Sequence, residues 1–221
     1  MPTKHEAIVS SVSLPAVTDD TEQTLETTEN HQVDATETER DAPSLPLHLT
    51  GVSLFEAASK GDVEAVRALL NANADVNEEG GFSDNALHAA SWRGYEDVVE
   101  LLLERGAEAN ARGGIYGNAV VAASACGKEG VVRLLLDNGA DVNAPGGKYY
   151  GSALHVASSL GNEGMVRLLL DKGADVNALG GMYGSALQAA SKNGREAVVR
   201  LLLENGAKKL SLWKRIKYKV Q

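Results

Sequence analysis

One pattern recurs five times along this chain and restricts its fold more than any other feature. It reads LFEAASKGDVEAVRALLNANADVN from residue 54, LHAASWRGYEDVVELLLERGAEAN from 87 and VVAASACGKEGVVRLLLDNGADVN from 120. It continues as LHVASSLGNEGMVRLLLDKGADVN from 154 and LQAASKNGREAVVRLLLENGAKKL from 187. The starts are spaced 33, 33, 34 and 33 residues apart. A unit that short cannot bury its own apolar face, so units of constant period stack and share a core.

Each unit reads as two helices. The alanine-rich segment, as in LHAASWRG, ends at Gly61, Gly94, Gly127, Gly161 or Gly194, where a left-handed backbone turns the chain. The following segment carries apolar residues such as Val98, Val99, Leu101, Leu102 and Leu103, spaced to give one broad apolar helical face. It stops at Gly106, Gly139, Gly173 or Gly206, with Asn73 in the first unit, Asn being the next best left-handed residue. Alanines 57, 90, 123, 157 and 190 recur on the first helix, where a larger side chain would hold neighbouring helices apart.

With this period, an alanine-rich helix, a leucine-rich helix and a GADVNA turn, each unit resembles an ankyrin repeat. The resemblance covers about residues 51–207. It implies an all-α ankyrin-repeat solenoid of stacked helix-turn-helix units with hairpin fingers, whose inner helices and fingers line a concave groove. It also implies a binding scaffold with no cofactor, catalytic residue or metal. The units run about 51–84, 85–117, 118–151, 152–184 and 185–207. Where many such repeats have Thr-Pro, this chain has Asn85-Ala86, Asn118-Ala119, Ser152-Ala153 and Ser185-Ala186, and Asn or Ser still caps a helix. The usual Asp at the finger base is replaced by Gly113, Gly146 and Gly180, so finger conformation is expected to differ. This GGxYG(N/S)AL(H/Q)AAS variant is similar to arrays found in filamentous fungi.

The ends differ from the array. Residues 1–49 hold ten Asp or Glu against two Lys or Arg, four of the five prolines and no aromatic residue, a composition expected to stay disordered as an acidic arm. Its stretch AIVSSVSLPAV has a basic flank of Lys4 alone, too weak for a secretory leader. Residues 208–221 hold six bases and no acid. A lone Cys126 excludes an internal disulfide and fits an intracellular setting.

The stretch GGKYYGSALHVASSLG at 146–161 gathers glycines, a lysine, Ser152, His155 and Ser158. It lacks the G-x-x-x-x-G-K-[ST] order of a phosphate loop, and it recurs. His155 and His88 stand where ankyrin repeats usually carry the histidine of a Thr-Pro-Leu-His turn, so the resemblance implies structural residues that join neighbouring loops; Phe55, Val121 and Gln188 stand there in the other units, against a catalytic role common to the position. Cys126 has no evident basic partner to activate it.

Specificity requires positions that differ between units and face the groove. Before the glycines these include Trp92 and Arg93, Leu160, and Lys192; Trp and Arg dominate interface hot spots. On the fingers, Tyr116, Tyr150 and Tyr183 form a ladder, with Tyr149 in the finger lengthened by one residue. Trp92 either meets a partner or covers a neighbouring unit, and the tyrosines either meet a partner or pack finger on finger. The expectation is a monomeric scaffold binding an unidentified protein. An alternative is an adaptor drawn to an anionic membrane or nucleic acid by its basic tail. That tail, with both helical and strand periodicity, otherwise caps the last unit.

Overall fold

The computed structural model describes residues 45–81 and 84–209. The expected disorder of residues 1–44 and every reading of the tail beyond Lys209 lie outside the described residues. Among these, ten α-helices form five pairs: α1 (Leu54–Lys60) and α2 (Val63–Asn71), α3 (Ala86–Arg93) and α4 (Glu96–Glu104), and α5 (Ala119–Ala125) and α6 (Glu129–Asp137). The series ends with α7 (Ala153–Leu160) and α8 (Glu163–Asp171), then α9 (Ala186–Lys192) and α10 (Glu196–Glu204). Odd-numbered helices stack on one another as an inner layer, even-numbered helices as an outer layer, and each inner helix packs on its outer partner. This is the solenoid implied by the period.

Local chemistry sets the helix ends. Asn85 Oδ1 accepts from the His88 N–H at 2.9 Å, Asn118 Oδ1 from Val121 at 2.9 Å and Ser185 Oγ from Gln188 at 3.2 Å, satisfying donors that a helix N-terminus leaves orphaned. At the other end Gly161 takes φ 81°, a conformation that costs a β-carbon dearly. Asn73, at φ 64°, is the one non-glycine residue with positive φ among those described. Ala90, Ala123, Ala157 and Ala190 are fully buried, which lets inner helices approach closely, and Leu102, Leu135, Leu169 and Leu202 fill equivalent places beneath the outer layer.

Two ladders join the units at the margins of these layers. In the turns, Asn77, Asn110, Asn143 and Asn177 each accept through Oδ1 from the backbone N–H of Glu108, Asp141, Asp175 and Lys208, at 2.7–2.9 Å. Each also donates through Nδ2 to a glycine carbonyl of the following unit, at Gly106, Gly139, Gly173 and Gly206. In the fingers the ladder is backbone: the Gly147 N–H donates to the Tyr116 carbonyl at 2.7 Å and the Met182 N–H to that of Tyr149 at 3.3 Å. A β-carbon on Gly147 would collide with the Ile115 carbonyl, and one on Gly117 with the Gly147 nitrogen. The paired glycines therefore let fingers stack main chain on main chain. The extra residue shows at the finger base, where the Gly146 N–H reaches Gly151 but the Gly113 N–H reaches Gly117. The last finger closes as a two-stranded ribbon, β1 (Leu179–Gly180) with β2 (Gly184–Ser185).

One boundary differs from the sequence reading. Residues 47–49 form a 3₁₀ turn, Leu49 is buried, and Leu45 and Val52 pack on the core. Residues 45–49 thus belong with the array. The acidic and proline-rich composition of the preceding residues obscures the alternating Leu45, Leu47 and Leu49.

Candidate functional site

Inner-helix ends and fingers meet along one face. There they leave a groove of about 380 Å³ lined by Phe55, His88, Trp92, Arg93, Ile115 and Tyr116, among others. Trp92 and Ile115 stay 39% and 69% exposed, large apolar surface that a monomer rarely leaves in one place without use. The Arg93 guanidinium lies 4.5 Å from the Trp92 ring centroid, within cation–π range. Burial pushes the Tyr116 hydroxyl above its ordinary pKa, with the Trp92 side chain pulling the other way.

The eight residues singled out from sequence do not form one cluster. Trp92, Arg93 and Tyr116 converge in the groove, and Tyr150 packs on Tyr116, with ring centroids 4.9 Å apart at a 41° tilt. Both tyrosines are half-buried and pack on the core, so this part of the ladder joins finger to finger. Tyr183 instead sits under the Lys192 ammonium, 5.0 Å from ring centroid to Nζ. Tyr149 is 59% exposed beneath Lys148, at 5.6 Å, and Leu160 is 49% exposed at the end of α7. Phe55 escapes the sequence reading because it occupies the position of His88, whose pattern points to the scaffold and not to the groove. Its ring lies against the finger, where a β-carbon on Gly80 would fall 2.6 Å from it.

The histidines are bound into the scaffold. His88 Nε2 lies 3.1 Å from the Ala111 carbonyl, and its Nδ1 accepts from the Asn85 N–H at 3.4 Å. Burial holds its imidazole below the ordinary pKa, against the raising influence of Ala111 and Asp84, so the ring is neutral and donates from Nε2. Ser152 Oγ lies 2.9 Å from His155 Nδ1, the spacing of a nucleophile and its base. The pair is sealed, however, with both residues buried and the same Nδ1 accepting from the Ser152 N–H at 3.2 Å. His155 Nε2 faces the backbone of Ala178 and Gly184 without completing a hydrogen bond, and burial lowers its pKa too. This pair is an internal helix cap. Burial raises the Cys126 thiol, opposed by Lys128 and Arg93, which keeps it protonated and poorly nucleophilic.

Among the described residues, no three His, Cys, Asp or Glu side chains gather as metal ligands, and no helix is long and apolar enough to cross a membrane. A search of curated proteins finds no match. A family model for ankyrin repeats matches three copies over residues 52–113 and 120–211, and the described residues of those spans stack here as paired helices joined by asparagine and finger ladders. Pattern, packing and match agree, and the chain belongs to the ankyrin-repeat family.

Proposed function

We propose that this chain is a non-enzymatic scaffold that holds a partner protein on the face made by its inner helices and fingers. Ankyrin repeats generally mediate protein–protein interaction. The observation that carries the reading here is the groove at Trp92, Ile115 and Tyr116, where exposed apolar surface and a guanidinium occur together. Such aromatic and arginine clusters supply most of the energy of an interface. Of the titratable groups at the groove, His88 is tied to the Ala111 backbone through Nε2, and Asp84 lies 3.6 Å from its Nδ1.

The test is site-directed photocrosslinking in cells, with the photoreactive residue at position 92 or, as a control, at the exposed outer-helix position 133. The expected result is a discrete adduct with another protein from position 92 alone. Adducts from position 133 only would place the interface on the opposite face.

A further inference from the structure

We infer that the chemical class of the partner is an extended acidic peptide segment with interspersed apolar side chains; this rests on the reading above and specifies it. Charge is segregated within the array. Every Asp and Glu of residues 85–207 falls in the outer-helix and turn segments 95–110, 128–143, 162–177 and 195–207. The inner helices and fingers between them, residues 85–94, 111–127, 144–161 and 178–194, contain no acid and four bases: Arg93, Arg112, Lys148 and Lys192. All four are exposed, and none pairs with a carboxylate among the described residues. In a chain of net charge −9, the inner helices and fingers of units two to five thus carry no carboxylate and four unpaired cations; acids reach this face only from the first unit, as Asp84 beside His88 in the groove and Glu56 paired with Lys60 on α1.

Three of these cations lie over aromatic rings: Arg93 on Trp92, Lys148 on Tyr149 and Lys192 on Tyr183. A ring holds a cation in place without neutralising it, so its remaining donors stay available to a carboxylate. The ring edges and the neighbouring Ile115, Leu160 and Met182, all exposed, offer contact to apolar side chains between the acids. The finger and helix positions recur from unit to unit, which suits an extended ligand lying across several units. Single-stranded nucleic acid fits less well. It would need open ring faces for base stacking, whereas one face of each of these three rings is covered, and Tyr116 and Tyr150 pack on each other.

The inference is tested by panning a random peptide display library on the immobilised full chain, in parallel with the Arg93→Gln/Lys192→Gln variant. Oligothymidylate serves as a competitor. The expected result is enrichment of Asp and Glu beside Leu, Ile or aromatic residues on the wild type, and loss of that acidic enrichment on the variant. The best acidic peptide, synthesised, should bind the variant at least about tenfold more weakly by calorimetry, and added salt should weaken its wild-type binding. Neutral or basic peptides whose capture depends on Trp92 would overturn the acidic class and leave the scaffold reading standing. Acidic peptides bound equally by both proteins would overturn it as well, as would displacement by oligothymidylate at lower concentration than by the acidic peptide. No enrichment of any peptide would overturn it too, and position 92 crosslinking would then judge the scaffold reading separately.

Discussion

Asn143 fastens its own turn to the next one through Asp175: its Oδ1 accepts from the Asp175 N–H at 2.8 Å, while Nδ2 donates to the Gly173 carbonyl at 3.3 Å. Asp175 in turn accepts, through Oδ1, from the Asn177 N–H at 2.9 Å, and Asn177 repeats the connection one unit on. Array stability lies largely in contacts between units, and this ladder is one such contact that does not depend on apolar area.

Replacing Asn143 or Asn110 with Ala should therefore lower stability by about 1 to 2 kcal/mol, the net worth of two hydrogen bonds partly open to water. The double variant should lose roughly the sum, since the two residues serve different junctions. Urea melts followed by far-ultraviolet dichroism measure this, and an unchanged midpoint in both single variants would show that water substitutes for the ladder.

Ala123 and Ala157 are fully buried on adjacent inner helices. Leucine at either site should overpack the helix stack and cost about 1 to 3 kcal/mol. The control is Ala125→Leu on the same helix, where the side chain is only half-buried; it should cost less. Equal melting midpoints for Ala123→Leu and Ala125→Leu would mean that the inner layer has slack at its centre.

The features that repeat were legible in the sequence, because a stacked unit imposes the same demand on every copy. The glycines that end the helices, the alanines of the inner layer and the Asn and Ser caps all follow from one period. The groove was harder to read, because it is made by residues that differ. Trp92, Arg93 and Tyr116 stood out by residue type, but Phe55 reaches the groove only through the approach of the finger to α1, which no local pattern encodes. The tyrosine ladder looked uniform in sequence and is not: Tyr116 and Tyr150 pack together, while Tyr183 pairs with Lys192. The turn asparagines were visible as letters, but their bonds run between units about 30 residues apart and required the stack to be built.

The glycine fingers give a third prediction. Gly147→Ala should disturb the fingers, because its β-carbon would meet the Ile115 carbonyl and backbone cannot move aside as a flexible side chain can. Gly81→Ala, at a finger position with open space around the added carbon, should be tolerated. Proteolysis at the fingers and near-ultraviolet dichroism of the Tyr116–Tyr150 pair read the difference. Matching digestion rates for the two variants would show that finger stacking adds nothing to finger order.

The buried histidines make stability depend on pH. Burial lowers the pKa of both His88 and His155, so between their folded values and the ordinary value of about 6.5 the unfolded chain binds more protons. Stability in that range rises with pH. The contribution is complete above about pH 6.5 and is lost as pH falls through that value towards the folded pKa values. Asp84 acts in the opposite sense, since burial raises its carboxyl and it takes up a proton more readily in the folded chain. Its influence enters only at the more acid end, near the carboxylate range. Glutamine occupies the equivalent site at Gln188, whose N–H is capped by Ser185, so His88→Gln and His155→Gln suit the position. Urea melts of the full chain should show the wild type losing stability between about pH 7.5 and pH 5, and the double variant losing measurably less over the same interval. Parallel pH curves for the two proteins would mean that neither imidazole is held neutral by the fold.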